Sequence, residues 1–290
     1  MSGLIRSMRP RQWLKNGVLL AALVFAQQGD RLGSLLRALA ALALFSLLAS
    51  AVYLFNDLLD RERDRVHPTK RNRPIAAGTL SPLVAGVAAL VLAAGSVGLS
   101  FLLAPRFGIV ALAYLALQIV YSTWLKHVVL LDVFAIAAGF VLRVVAGALV
   151  IAVPISNWLY LCTLLLALFL ACAKRRAELL AFGDGDPAHH RRSLAHYSVD
   201  LLDQMIGILA ACTILAYSLY TLSPETQAKF GTDALKYTIP FVIFGLFRYL
   251  YLVHQRNQGE SPEKVLLTDA PLLIDIGLFL GVVVGVLYRP

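Results

Sequence analysis

The chain has 290 residues, of which 59% are hydrophobic, and its formal net charge of +9 comes from 26 basic and 17 acidic side chains. Its mean hydropathy of +0.74 excludes an ordinary soluble domain and favours a polytopic helical membrane protein, because runs of about 18 or more apolar residues predict membrane-spanning helices. We expect a single transmembrane domain over residues 1–290, no cleaved signal peptide and no nucleic-acid partner.

Nine apolar segments are predicted to cross the membrane, and the first of them is short and gives the weakest signal. In chain order they cover about 16–28, 33–56, 79–103, 107–125, 128–151, 157–173, 201–222, 237–254 and 271–288. The sequence therefore predicts an all-α bundle of about nine transmembrane helices. Two long polar loops, at about 57–78 and 174–200, are expected to join them on one side.

Most lysines and arginines fall on that side when the N-terminus is placed inside. Such an asymmetry is typical of cytoplasmic loops. We therefore predict a multi-pass protein of the plasma (inner) membrane whose two polar loops face the cytoplasm. For the N-terminal arginines, topology together with attraction to anionic lipids is as good an explanation as a functional role.

Three aspartates follow the second apolar segment, in the stretch "NDLLDRERDRVHPTKRNRP" at 56–74. If the helix continues past Asn56, Asp57, Asp60 and Asp64 occupy positions i, i+3 and i+7 and share one face. Carboxylates this close repel one another, so a positive charge is expected between them. Mg²⁺ binds hard oxygen ligands, commonly one or two carboxylates together with substrate phosphates. The spacing favours a metal-diphosphate site over a solvated loop.

A basic run follows these aspartates and supplies Lys70, Arg71 and Arg73. Arginine binds phosphate oxygens with two parallel hydrogen bonds, and lysine binds them as a point charge. Acids and bases in one short stretch also suit a loop that neutralises itself through salt bridges. The composition favours diphosphate binding.

The whole stretch resembles the first aspartate-rich motif of the UbiA-type intramembrane prenyltransferase superfamily, N-D-x-x-D-x-x-x-D followed by a basic run ending in R-P. Asn56, the three aspartates and the segment 71–74 match it. The resemblance implies a helical fold of about nine spans and an Mg²⁺-bound diphosphate at the membrane edge. It also implies that Asp57, Asp60 and Asp64 are the metal ligands and catalytic residues.

Further segments are similar to one branch of the superfamily, which moves 5-phosphoribose from phosphoribosyl diphosphate to decaprenyl phosphate. They are "RPRQWLKN" at 9–16, the stretch 121–148, the stretch 155–179 and "RRSLAHYS" at 191–198. Members with aromatic acceptors usually carry a second aspartate-rich motif, where this chain reads "KRRAELLAFGDGD". Lys174, Arg175 and Glu178 replace most of its acids, which argues against an ordinary prenyl diphosphate donor, although Asp184 and Asp186 remain nearby.

Polar residues from the inner segments and one span are predicted to bind substrate. They are Lys15, Asn16, Asn56, Lys70, Arg71, Arg73, Lys126, Arg143, Lys174, Arg175, Glu178 and Arg191. Five of the basic ones offer a pocket for a 5-phosphate: Lys15, Lys126, Lys174, Arg175 and Arg191. Arg143 lies inside a span on about the same helix face as Asp132, and a structural and a substrate-facing role for this pair are equally plausible.

The branch implies an Mg²⁺-dependent pentosyltransferase that joins 5-phosphoribose from phosphoribosyl diphosphate to a polyprenyl phosphate and releases diphosphate. Its product would feed arabinose-containing cell-envelope glycans. The acceptor phosphate is ionised at neutral pH, so the reaction requires no general base. Two alternatives stay open: prenyl transfer from a prenyl diphosphate to an aromatic or lipid acceptor, and a membrane carrier. Charges are sparse at the midplane of the membrane, where carriers place their sites, and this argues against a carrier. Whether the protein forms a homo-oligomer also stays open.

Overall fold

The computed structural model describes residues 2–66, 70–181, 192–256, 258–259 and 262–288, and within these ranges the chain is helical and contains no strand. The α-helices are α1 (Ser2–Met8), α2 (Ala21–Phe25), α3 (Leu32–Leu59), α4 (Arg61–Val66), α5 (Pro82–Leu103), α6 (Pro105–Thr123), α7 (Leu131–Val150), α8 (Asn157–Leu180), α9 (Val199–Leu222), α10 (Pro224–Phe230), α11 (Ile239–Gln255), α12 (Pro262–Thr268) and α13 (Ala270–Leu287). The predicted all-α fold is confirmed.

Eight helices in the described part of the chain are long and apolar enough to cross a membrane. They correspond one to one with the second to ninth predicted segments, and the seventh includes the short 3₁₀-helix Ala234–Thr238 ahead of α11. Their exposed leucines, isoleucines and valines face outward, as expected where lipid is the solvent. The chain is a multi-pass membrane protein.

The first predicted segment, 16–28, begins within a 3₁₀-helix and contains no long α-helix. Pro10–Leu20 form a 3₁₀-helix that leads directly into α2. A 3₁₀-helix rises about 2.0 Å per residue, so residues 10–25 extend over roughly 30 Å, which is the thickness of the hydrocarbon core. The segment therefore has the reach of a ninth span although it lacks the residue count of one.

This 3₁₀ segment runs antiparallel to α3. Side-chain contacts join the two along their length, beginning at the C-terminal end of α3: Arg9 to Asp57, Trp13 to Ser50 and Asn16 to Ser46. On α7, Gly147 allows close packing, because a Cβ there would overlap the carbonyl oxygen of Leu19. The segment is thus an integral part of the helical packing.

Backbone contacts divide the chain into two compact units. Unit 1 comprises residues 1–125 and 142–154, and unit 2 comprises residues 126–141 and 155–290. Helix α7 contributes its first half to unit 2 and its second half to unit 1. Whether these units make up the single domain expected from the sequence stays a prediction.

Each unit has an apolar core of its own. In unit 1, Phe45 of α3 packs against Phe107 and Tyr114 of α6, with ring centroids 5.6 and 5.3 Å apart. In unit 2, Phe169 of α8 packs against Tyr249 of α11, with centroids 5.5 Å apart. Buried aromatic pairs of this kind fix the spacing of the helices that carry the polar side chains.

The two predicted polar loops are shorter than expected because the helices extend into them. Helix α3 continues to Leu59 and is followed by α4 and by a 3₁₀ turn at Lys70–Asn72. Helix α8 continues to Leu180, and a 3₁₀ turn at Arg192–His196 precedes α9. The predicted residues Asp184, Asp186 and Arg191 lie outside the described residues.

Candidate active site

The three motif aspartates lie where α3 passes into α4 in unit 1. Asp60 ends α3, and its amide donates to the carbonyl of Asn56 at 3.0 Å, while the amide of Asp64 donates to the carbonyl of Asp60 at 2.8 Å. Helical hydrogen bonding therefore continues across the junction and preserves the predicted one-face spacing. Asp57 and Asp64 are buried, with 2% and 3% of their surface exposed, and Asp60 is half-buried.

Two arginines neutralise the buried carboxylates. Nη1 of Arg73 donates to Oδ1 of Asp57 at 3.1 Å and to Oδ2 of Asp64 at 2.6 Å. Nη2 of Arg9 donates to the same oxygen of Asp57 at 2.5 Å. The positive charge expected between the aspartates is therefore Arg73, from the basic run that the sequence singled out.

The donor set of this cluster fits a divalent cation that is shared with a phosphate. Oxygens of Asp57 and Asp64 both lie within 3.1 Å of one cationic nitrogen of Arg73, so they already converge on a single positive charge. Among the described residues, no three His, Cys, Asp or Glu side chains come close enough to hold a metal ion by themselves. Two carboxylates that need phosphate oxygens to complete the coordination are the usual arrangement for Mg²⁺.

The other predicted residues of this stretch differ in exposure. Asn56 and Lys70 are half-buried, and Arg71 is exposed. Lys15, on the 3₁₀ segment, is also half-buried. Their roles in substrate binding stay predictions.

Asn16 and Arg143 form a second polar cluster in unit 1, inside the apolar helices. Nε of Arg143 donates to Oδ1 of Asn16 at 2.7 Å, and its Nη2 donates to Oη of Tyr114 at 2.8 Å. Nδ2 of Asn16 donates in turn to Oγ of Ser46 at 3.1 Å. This cluster connects the 3₁₀ segment, α3, α6 and α7, so it fixes the path of the 3₁₀ segment through unit 1.

The position of Arg143 bears on its predicted substrate role. It lies roughly 18 Å along α7 from the first residue of that helix, past the midpoint of the span. The guanidinium also stacks on the ring of Tyr114, 4.7 Å from its centroid. These neutral partners favour a structural role. Asp132, which the sequence offered as a partner, forms its ion pair elsewhere.

Asp132 is the hub of the polar cluster in unit 2. It is fully buried, and its Oδ2 lies 2.8 Å from Nε of Arg175, which is 1% exposed. Its Oδ1 accepts from the hydroxyl of Tyr197 at 2.8 Å, and that hydroxyl accepts from the amide of Leu130 at 2.8 Å. Burial, reinforced by the charge of Asp132, raises the pKa of Tyr197, so its phenol stays protonated and donates to the carboxylate.

The predicted substrate residues of unit 2 differ in accessibility. Arg175 also forms an ion pair with Glu178, so two acids surround its guanidinium. Lys174, with 36% of its side chain exposed, lies 3.9 Å from the carboxylate of Glu178. Lys126 is buried, and its carbonyl accepts from the hydroxyl of Ser193 at 3.0 Å. Lys174 is therefore the side chain of this group that is most accessible to a ligand.

Several residues of these clusters were not among the predicted site residues. They are Arg9, Tyr114, Ser193 and Tyr197, together with a further group in which Asp203 of α9 binds Arg176 and His254. Arg9 stood in the quoted stretch "RPRQWLKN", but nothing in a single sequence relates residue 9 to residue 57. Such contacts depend on how helices pack, which the periodicity of one segment does not reveal.

The sequence is similar to a known protein family and to named members of it. A family model described as "UbiA prenyltransferase family" matches residues 17–268. The chain is 35% identical to decaprenyl-phosphate phosphoribosyltransferase of Mycolicibacterium smegmatis, over 99% of this chain and 93% of that protein. It is 36% identical to the protein of the same name from Mycobacterium tuberculosis, over 94% of this chain and 90% of that one.

Solved structures share the fold. A UbiA homologue from Archaeoglobus fulgidus, whose structure contains GPP and Mg²⁺, superposes with a TM-score of 0.76 and covers 99% of this chain and 100% of its own. The two sequences are 21% identical, so this likeness concerns the fold alone.

Proposed function

The chain belongs to the UbiA prenyltransferase family, and we propose that it transfers 5-phosphoribose from phosphoribosyl diphosphate to a polyprenyl phosphate such as decaprenyl phosphate. It is an enzyme, a membrane-bound transferase. Two relatives that are 35% and 36% identical over nearly the whole chain bear a name that gives decaprenyl phosphate and phosphoribosyl transfer. Within unit 2, basic side chains occupy the place where aromatic-acceptor members usually have acids, and this supports a donor with an additional phosphate.

The structural observation that supports the proposal best is the pair of buried carboxylates, Asp57 and Asp64, which share the guanidinium of Arg73. A buried carboxylate is stable only when it is paired with a positive charge. A reaction that releases diphosphate brings both a divalent cation and a polyanion to such a site. The arginines that neutralise the aspartates can then contact the polyanion.

Asp57, Asp64 and the half-buried Asp60 are the residues proposed to hold Mg²⁺. When bound, the metal supplies positive charge that stabilises the leaving diphosphate. Arg73 and Arg9 are the proposed contacts of the diphosphate oxygens. Their guanidinium nitrogens lie within 3.1 Å of an oxygen of Asp57, which supports this role. In unit 2, Lys174 is the proposed phosphate contact, and Asp132 holds Arg175 beside it.

The proposed reaction balances without an added acid or base. An oxygen of the acceptor phosphate forms a bond to C1 of the ribose, and the bond from C1 to the diphosphate oxygen breaks with its electron pair. The acceptor oxygen is already ionised, so no proton has to be removed. The protein contributes by holding the two anions together and by stabilising the positive charge that develops at C1.

Parallel assays with each of the two possible donors test the proposal against prenyl transfer. Purified protein with Mg²⁺ and a short polyprenyl phosphate receives either radiolabelled phosphoribosyl diphosphate or radiolabelled prenyl diphosphate. We expect a new labelled lipid product, separated from unreacted prenyl diphosphate by chromatography, with phosphoribosyl diphosphate alone, and we expect EDTA to prevent its formation. Label entering from prenyl diphosphate instead would assign the chain to prenyl transfer.

We further propose that the protein resides in the plasma (inner) membrane and that its active site opens to the cytoplasm. The water-soluble donor, phosphoribosyl diphosphate, would reach the site from there. The lipid-linked product would then supply pentose for cell-envelope glycans such as arabinan. The distribution of basic residues supports this orientation.

A further inference from the structure

Arg9 is held beside Asp57 by several features of unit 1. It links α1 to the 3₁₀ segment and has φ +54° and ψ +62°, a left-handed conformation that residues other than glycine adopt rarely. Its guanidinium lies 5.0 Å from the centroid of the Tyr53 ring, and Tyr53 is one helical turn before Asp57. The ring and the carboxylate therefore hold the guanidinium together. Such backbone strain persists only where the surroundings maintain it.

Arg9 and Arg73 hold the aspartates differently. Arg73 bridges two carboxylates, whereas Arg9 forms an ion pair with Asp57 alone among the residues that the structure describes. The two side chains are similarly exposed, 26% for Arg9 and 24% for Arg73, so the difference lies in the number of buried carboxylates that each one holds. An arginine with one carboxylate partner and access to solvent can leave at a lower desolvation cost than one that bridges two buried acids.

We propose that Arg9 is an exchangeable counter-ion of Asp57, which releases the carboxylate when a divalent cation binds and then contacts the diphosphate. The inference rests on the proposed metal-diphosphate site at Asp57. It assigns to Arg9 two opposite effects. Without diphosphate, Arg9 competes with the metal ion for the carboxylate, and with diphosphate present it stabilises the bound anion.

The test measures binding in the full-length protein without turnover. Mn²⁺ replaces Mg²⁺, and free Mn²⁺ is measured by electron paramagnetic resonance. Arg9→Gln should bind Mn²⁺ about tenfold more tightly than wild type, because a like charge a few ångströms from the ion has been removed. Arg11→Gln removes the same charge from an exposed position two residues away, and it should stay within about twofold of wild type because solvent screens an exposed charge.

The second measurement uses inorganic pyrophosphate with saturating Mn²⁺. Here Arg9→Gln should bind pyrophosphate about tenfold more weakly than wild type, since a charge-assisted hydrogen bond to phosphate has been lost. Arg9→Lys keeps the charge and should lie near wild type for Mn²⁺ alone. A residue with only a structural role would weaken both ligands or neither, so the opposite signs identify the exchange.

The outcomes separate this inference from the proposed function. If Asp57→Asn leaves Mn²⁺ binding unchanged, the metal is not at Asp57 and the proposed site fails. If Asp57→Asn abolishes Mn²⁺ binding but Arg9→Gln binds Mn²⁺ like Arg11→Gln, the exchange role of Arg9 is wrong while the site stands. If Arg9→Gln does not elute as folded protein, Tyr53→Leu replaces it, because this change loosens the guanidinium without altering charge. Tighter Mn²⁺ binding by Tyr53→Leu supports the exchange, and unchanged binding overturns it.

Discussion

In unit 1 the buried members of the ionic cluster are Asp57 and Asp64, and the arginines that neutralise them keep about a quarter of their side chains exposed. In unit 2 both members of the central pair, Asp132 and Arg175, are buried, with 0% and 1% of their surface exposed. A pair with one accessible partner can exchange that partner for a ligand. When both members of a pair are buried, separating them leaves an unpaired buried charge, which costs too much free energy for ligand exchange. Such a pair therefore stabilises the fold.

This difference assigns distinct tasks to residues of similar chemistry. The role proposed for the unit 1 cluster is to bind metal and diphosphate, with Arg9 as the counter-ion that is exchanged. The unit 2 cluster fixes the backbone around Lys174, because Asp132 binds Arg175 of α8 and Tyr197, and Tyr197 in turn binds the amide of Leu130. Neutralising Asp57 in unit 1 should therefore affect turnover, and neutralising Asp132 in unit 2 should affect stability first.

The largest effect is expected for Asp57→Asn. A neutral amide is a poor Mg²⁺ ligand, so turnover with phosphoribosyl diphosphate should fall at least about 100-fold, while the protein stays folded because Arg73 keeps its contact with Asp64. Glu62→Gln is the control on α4, since Glu62 is exposed and pairs with Arg65. It should retain activity within about twofold of wild type. Equal activity of Asp57→Asn and wild type would remove Asp57 from the site.

Asp132→Asn is expected to act mainly on stability. The change leaves the buried guanidinium of Arg175 without its central carboxylate, which typically costs about 3–5 kcal/mol. Denaturant unfolding of the purified protein measures the loss. Replacing Arg175 by Met as well should recover part of it, because the buried guanidinium that has lost the carboxylate of Asp132 is then gone.

An exposed ion pair of the same unit provides the comparison for Asp132. Asp233 and Lys236 form a contact at the surface of unit 2, so Asp233→Asn should leave the free energy of unfolding close to that of wild type. If Asp132→Asn were equally silent, the unit 2 cluster would not be a framework.

Lys174→Ala should affect the donor and spare the acceptor. Loss of a charge-assisted phosphate contact costs about 1.5–3 kcal/mol, or about 10- to 150-fold in affinity, so the apparent KM for phosphoribosyl diphosphate should rise by that factor. The apparent KM for the polyprenyl phosphate should change little. Lys264→Ala, on the separate helix α12, is the matched control. Equal losses for both substrates would point to damage to the fold instead of a donor contact.

The smallest perturbation is a set of single cysteines that report topology. Cysteines at Arg6 and Arg71 should be labelled from the same side of the membrane, and a cysteine at Lys229 from the other side. The reason is that residues 10–25 are long enough to cross the hydrocarbon core. If they cross it, Arg6 lies on the same side of the membrane as the C-terminal end of α3. If Arg6 and Arg71 were labelled from opposite sides, the 3₁₀ segment would not cross the membrane.

Much of the fold was accessible from the sequence, because a long apolar run has few structural options in a membrane. The second to ninth segments became long helices, and the one-face spacing of Asp57, Asp60 and Asp64 was preserved across the α3–α4 junction. The 3₁₀ character of Pro10–Leu20 was not accessible, since it depends on contacts with α3 and on the close approach at Gly147. Those contacts involve residues far apart in the chain.

The site was predictable to a similar degree. The aspartates and Arg73 lie within one short stretch, so local spacing was enough to group them. Arg9 and Tyr197 contribute through contacts across 48 and 65 residues of chain, and a single sequence contains no signal for such pairs. The roles of Arg143 and Arg175 could not be read from residue type, because an arginine that binds a ligand and one that fixes a fold look alike until their partners are known.

The central claim is that an oxygen of the acceptor phosphate attacks C1 of the ribose while diphosphate leaves. It is tested most directly with a polyprenyl phosphate that carries ¹⁸O in its phosphate group. After incubation with Mg²⁺ and unlabelled phosphoribosyl diphosphate, mass spectrometry should find a lipid-linked phosphoribose that retains all of the ¹⁸O, together with unlabelled diphosphate. A lipid product without the pentose phosphate, or ¹⁸O in the released diphosphate, would contradict the account.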